Sequence, residues 1–122
     1  MENIKENLTE IIINGINPYI IPGLAHIPSD LDIILGIVCR AAGIRREEVI
    51  PKRGKKETVV VRQAYCYFAR KYTKHSLALI GKTIKRDHAT VLHHIGMVDD
   101  LLDAKDNMMT GLVNKVFKLL NP

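Results

Sequence analysis

The chain has 122 residues, 47% hydrophobic and 25% charged, which is the composition of one globular domain rather than of a disordered polymer. No run approaches the roughly 20 apolar residues of a membrane helix, and the first residues lack the basic-then-apolar order of a secretory signal, so a cytoplasmic protein is expected. The net charge of +5 is unevenly spread: residues 45–87 hold 13 basic and 4 acidic side chains, while the flanking segments are slightly acidic. Clustered cations bias a surface toward polyanions.

In chain order, Lys5 to Ile13 carries Leu8, Ile11, Ile12 and Ile13 and predicts a short amphipathic helix ending near Gly15. Asn17-Pro18, Pro22-Gly23 and Pro28 then punctuate an apolar stretch with Tyr19, Ile20, Ile21 and Leu24. Residues 1–29 are thus expected to pack on the domain or to bind a protein partner. Ser29-Asp30-Leu31-Asp32 is a helix-start pattern, and Leu31, Ile34, Leu35 and Val38 place one apolar face on a helix running to about Ala42, with Gly43 as its stop. A helical turn over Arg46 to Ile50 leads to the exposed basic loop Pro51-Lys52-Arg53-Gly54-Lys55-Lys56.

A long helix follows from Glu57 or Thr58 to Tyr72, with Ala64, Tyr65, Phe68, Ala69 and Tyr72 on its apolar face and Arg62, Arg70 and Lys71 elsewhere. Ser76 caps a helix from Leu77 to Ile84, Lys85-Arg86 is a tight turn, and another helix starts near Asp87 with Val91, Leu92, Ile95, Val98, Leu101 and Leu102 as its apolar residues. A terminal helix from Met108 to Leu120 closes the core. The expected fold class is all-α, a compact helical bundle containing a helix-turn-helix.

A helix-turn-helix lays its second helix in the DNA major groove, where the first residues reach base edges. Here that helix begins Arg86-Asp87-His88-Ala89-Thr90. An aspartate can accept from cytosine N4 and an alanine methyl can pack on a thymine methyl. Asp87 also reads as an ordinary N-cap, and the two roles can coexist.

Ser76-Leu77-Ala78-Leu79-Ile80-Gly81, followed by Arg86-Asp87-His88-Ala89-Thr90-Val91-Leu92-His93, resembles the signature of the C-terminal DNA-binding domain of the bacterial replication initiator DnaA. In that signature a Ser-Leu-x-x-Ile-Gly helix precedes Arg-Asp-His-Thr-Thr-Val-Leu-His. Arg62-Gln63 and Thr73 also match the family, and the resemblance spans about residues 30–120.

The resemblance implies sequence-specific binding of double-stranded DNA at a DnaA-box-like site, in replication initiation or its control. It implies base contacts from Asp87, His88 and Ala89, with Leu77 and Ala78 near thymine methyls. Phosphate contacts would come from Lys52, Lys56, Arg62, Gln63, Arg70, Thr73, Arg86, Thr90 and His93, and Arg53 or Lys55 would enter the minor groove. The chain departs from the pattern at Ala89 for threonine, at Ala78 for a frequent proline, and in a turn one residue shorter than Phe-Gly-Gly-Arg. A shifted DNA preference is therefore expected.

Other chemistries are not expected. Gly81-Lys82-Thr83 lacks the earlier glycine of a P-loop, Ser76 standing there, so no nucleotide site is expected. The histidines lack metal-ligand spacing, Cys39 and Cys66 read as buried free thiols, and no cofactor is implied. Tyr65, Tyr67, Phe68 and Tyr72 have the spacing of core packing rather than base stacking. No nucleophile, base and orienting group can be assembled, so the chain is not read as an enzyme. RNA binding finds no module signature. The main rival is a helical protein-interaction adaptor that keeps the fold and binds DNA without sequence preference.

Overall fold

The fold starts from a cap. In the computed structural model, which describes residues 29–51 and 54–121, the Ser29 Oγ accepts from the Asp32 amide (3.2 Å) and opens α1, Asp30–Ala42. The expected segments upstream, and the loop residues Lys52 and Arg53, lie outside the described residues. Helix α1 ends where Gly43 turns left-handed (φ 69°), so that Gly43 N–H bonds to Arg40 O (3.2 Å) and Ile44 N–H to Cys39 O (3.0 Å), closing the last carbonyls. Five further helices follow: α2 (Arg46–Val49), α3 (Lys56–Tyr72), α4 (Leu77–Thr83), α5 (His88–Asp103) and α6 (Asn107–Leu120). All described elements are helical, as the hydrophobic spacing implied, and every boundary falls within one or two residues of its expected place.

Helix α3 is the axis of the bundle, packed by α1, α2, α4, α5 and α6. Its Val60, Val61, Ala64, Tyr65, Cys66, Phe68 and Ala69 are buried together with Arg62 and Gln63, so the expected single apolar face is in fact burial nearly all round. Surrounded on every side, this helix leaves no solvent face at its middle for Arg62. Phe68 packs edge-on to Tyr67 (5.3 Å between centroids) and Phe117 (5.2 Å) and stacks on Tyr72 (6.0 Å), joining α3 to α6. The aromatics are thus packed inward, with Lys71 Nζ 5.4 Å from the Tyr67 ring and 5.5 Å from that of Phe117.

Polar ties fix the small elements. Asp32 accepts from Arg46 (2.6 Å) as well as from the Ser29 hydroxyl (2.9 Å), fastening α2 to the start of α1. Burial pushes that carboxyl up, but the bonds from Arg46 and Ser29 outweigh it and hold it below its ordinary range. His75 Nε2 meets Asp30 Oδ1 at 2.8 Å and ties the α3–α4 connection to the same helix end. Cys39 and Cys66 are the buried free thiols expected, their pKa values pushed by burial up to about 11 and about 12.

The α5–α6 corner repeats the ending of α1 without a glycine. Lys105 stands left-handed (φ 57°) while its N–H bonds to Leu102 O (3.1 Å) and the Asp106 N–H to Leu101 O (2.9 Å). Left-handed backbone costs an L side chain about 1 kcal/mol relative to glycine. Lys105→Gly is therefore expected to stabilise the fold by about 1 kcal/mol, read as a higher midpoint in denaturant at unchanged slope; an unchanged or lower midpoint would contradict it.

Candidate nucleic-acid interface

The corner between α4 and α5 is built from three local devices. Ser76 Oγ accepts from Leu79 N (3.1 Å) to start α4, and Asp87 Oδ1 accepts from Thr90 N (2.8 Å) to start α5. Between them, Gly81 O receives Arg86 N–H (2.9 Å) and Lys82 O receives Lys85 N–H (3.2 Å), with Lys85 left-handed at φ 55°. The corner demands glycine at a different place: a Cβ on Gly81 would lie 2.2 Å from Arg86 O and 3.0 Å from Val91 Cγ2. Absence of that side chain is what lets the end of the turn fold back onto α4. Tyr65 Oη donates to Ile80 O (3.0 Å) and holds α4 on the central helix.

Two arginines then lock this corner to the segment before the basic loop. Arg62 NH1 donates to Val49 O (2.7 Å) and Pro51 O (3.3 Å). Arg86 NH1 donates to Ile50 O (3.0 Å), Ile84 O (2.9 Å) and Lys85 O (3.2 Å), and its NH2 to Pro51 O (3.0 Å). Burial and the neighbouring Arg86 charge both lower the Arg62 pKa from its usual value. The expectation that Arg62 and Gln63 lie open as phosphate ligands is corrected: they are only 4% and 7% exposed, because α3 is enclosed there. Arg86 is half-buried and already engaged with carbonyls. Thr73, half-buried, ends α3 by donating its hydroxyl to Ala69 O (2.6 Å).

The remaining expected residues that the structure describes are exposed or half-buried. Asp87, His88 and Ala89 are exposed at the start of α5, Thr90 is half-buried, and His93 is exposed one turn on. On α4, Ala78 is exposed and Leu77 half-buried. Lys55 and Lys56 are exposed at the start of α3, and Arg70 near its end. The Thr90 amide and hydroxyl hold the Asp87 carboxyl below its ordinary range, so it is a pure acceptor at neutral pH. Two oxygens offer about four lone-pair sites, so capping does not exhaust it.

Sequence reading missed three features of α4 and α5. Leu92, expected in the core, is 59% exposed, and Leu79 is 43% exposed. The core stripe of α5 is set by Val91, Ile95, Val98 and Leu102, and a residue next to Val91 lies about 100° around the helix, which would have placed Leu92 outside. His94 takes the core position instead and is 9% exposed, its Nδ1 without a hydrogen-bond partner among the described residues. Burial, then the charges of Arg62, His93 and Arg86, lower its pKa to about 4.

These features define a class: an all-helical helix-turn-helix whose second helix presents its N-terminal residues to solvent. Residues 31–98 match the model of the bacterial dnaA protein helix-turn-helix, and the chain belongs to that family. A domain of this family binds DNA and is not a catalyst. Among its relatives, the chromosomal replication initiator protein DnaA of Flavobacterium psychrophilum is 38% identical over 92 residues, 75% of this chain and 19% of the relative. The DnaA of Desulfotalea psychrophila is 36% identical, over 57% of this chain and 16% of the relative. That of Pseudothermotoga lettingae is 29% identical, over 68% and 19%. The chain thus spans about a fifth of the length of the relatives it matches. Among the described residues, no helix is long and apolar enough to cross a membrane.

Two expectations follow from this geometry. The folded pKa of His94 is depressed, so the unfolded chain takes up a proton first: stability is full above about pH 6.5 and declines as pH falls toward 4. At pH 5 the loss should be about 1–2 kcal/mol relative to pH 7.5, and His94→Leu should remove this component; an equal acid loss in both proteins would refute the assignment. Arg62→Ala should lower the unfolding free energy by about 2–3 kcal/mol because buried carbonyls lose a charged donor. Arg70→Ala should instead leave the unfolding free energy within about 0.5 kcal/mol of the parent. Equal midpoints for the two variants would overturn the distinction.

Proposed function

We propose that this chain reads a short duplex DNA site, related to the DnaA box, and acts in replication initiation or its regulation. One observation carries the reading: Asp87, His88 and Ala89 stand exposed on the first turn of a capped helix in a rigid corner, where a helix-turn-helix reaches base edges. The relatives are named chromosomal replication initiators.

In this reading α5 enters the major groove. Asp87 accepts from a cytosine amino group, His88 meets a neighbouring base edge, and the Ala89 methyl packs on a thymine methyl, with Leu77 and Ala78 contributing apolar contact from α4. Lys52, Lys56, Arg70, Thr90 and His93 hold phosphates, and Arg53 or Lys55 enters the minor groove. Thr73 adds its half-buried hydroxyl oxygen as an acceptor for water at the backbone. Arg62 and Arg86 act mainly by positioning the basic loop against the recognition helix, and Arg86 retains N–H groups for a phosphate. Gln63, buried beside Arg62, supports that position.

Selection of bound duplexes from a random pool at near-physiological salt tests the proposal. One short motif should emerge, bound at least about 10³-fold more tightly than a scrambled duplex. Asp87→Asn should relax preference at one position, at about 1–3 kcal/mol, with little change in salt dependence. Recovery of no motif, with only salt-sensitive binding, would support the adaptor reading instead.

A further inference from the structure

Where α1 ends, α3 begins and α6 begins, the helices do not close fully on one another. An open groove of about 300 Å³ remains, lined by the apolar side chains of Ala42, Ile44, Val60, Met108 and Leu112 and by Gly111, with Glu57, Asn107 and Lys115 also lining it. A Cβ built on Gly111 meets nothing within 4 Å, and Met108 is 40% exposed at this place. The apolar part of this lining gains by taking apolar side chains out of water.

We propose that the Tyr19-Ile20-Ile21 segment of this same chain docks in that groove. Three points select this occupant. First, reach: the 13 residues of α1 set its far end about 20 Å from Ser29, and the eight residues from Ile21 to Ser29 can span about 26 Å. Second, chemistry: the three large apolar residues lie between Pro18 and Pro22. Each proline restricts its own backbone and that of the residue before it, so less freedom is lost on docking. Third, tethering: a segment on a short leash has an effective concentration near the millimolar range, well above that of a second copy in dilute solution. The N-terminal segment then belongs to the core rather than hanging from it.

The test uses the full chain without DNA, so its outcome is independent of the DNA-reading proposal. A spin label is attached through Asn17→Cys, the native Cys39 and Cys66 being buried. Signals of the Met108 methyl and the Gly111 amide should fall about twofold or more, as for a docked state that dominates the population. Gly111→Leu fills the groove while improving helix propensity, so it should fold and should restore the Met108 signal. Ile20→Asp should restore it as well. Persistent intensity in the labelled parent overturns the proposal, as does broadening that survives Gly111→Leu. A mixture of labelled chains with isotope-enriched unlabelled chains should show no broadening, and its appearance there would assign the groove to a second copy instead.

Discussion

Two guanidinium groups sharing the carbonyls of Val49, Ile50 and Pro51 fix the relation between the two ends of the interface. The carbonyls at the end of a short helix have no intrahelical donors and need partners. Arg62 reaches them from the central helix and Arg86 from the helix-turn-helix corner, so the segment that leads into the basic loop is held from both sides. Burial first, and then repulsion between these two like charges, lower the Arg62 pKa. The carbonyl oxygens offset this by presenting negative ends of dipoles to both forks, an arrangement a lysine point charge would not reproduce.

The corner itself depends on a close approach rather than on a flexible residue. Gly81 is needed because the Arg86 carbonyl occupies the place of a side chain, and the chain accepts a left-handed lysine, Lys85, in return for a completed set of turn bonds. The cost of Lys85 is local, whereas a displaced Gly81 would shift the whole of α5 against α4. The direction in which Asp87, His88 and Ala89 project therefore depends on a residue six positions before the cap of α5. Backbone geometry precedes readout here, as it must where a few contacts have to be held to within a fraction of an ångström.

Much of this was legible in the residues. Ser29, Ser76 and Asp87 announce helix starts because a short polar side chain can meet free amides, and each does so. Gly43 announces a stop. Lys85 and Lys105 adopt the same left-handed ending without the residue that signals it, so the bonds that stabilise those corners could not be anticipated from composition. Burial of Arg62 was hidden for a different reason. Helical periodicity finds the face turned to one neighbour, but α3 has neighbours on all sides, and an arginine with carbonyl partners is as acceptable inside as a hydrophobe. Leu92 was misassigned because its hydrophobicity outweighed its angle on the helix, and His94 was overlooked because a titratable ring is not counted as core.

The same partition revises what the charge of the chain means. The basic excess of the middle third suggests a strong, continuous attraction for phosphate, yet Arg62 and Arg86 face carbonyls and Arg46 faces Asp32. All three are arginines, whose planar fork suits several fixed acceptors at once, while the exposed cations at the ends of α3 and α4 are mostly lysines: Lys55, Lys56, Lys71, Lys74, Lys82 and Lys85. These exposed cations, available to a polyanion, thus stand at the ends of α3 and α4. An anion drawn to them is met by groups that cannot all be neutral scenery, since the ionised Asp87 stands among them and repels any phosphate placed beside it. For the proposed DNA reading, attraction from the lysines and exclusion by one carboxylate together favour a pose with phosphates at the periphery and base edges at the start of α5.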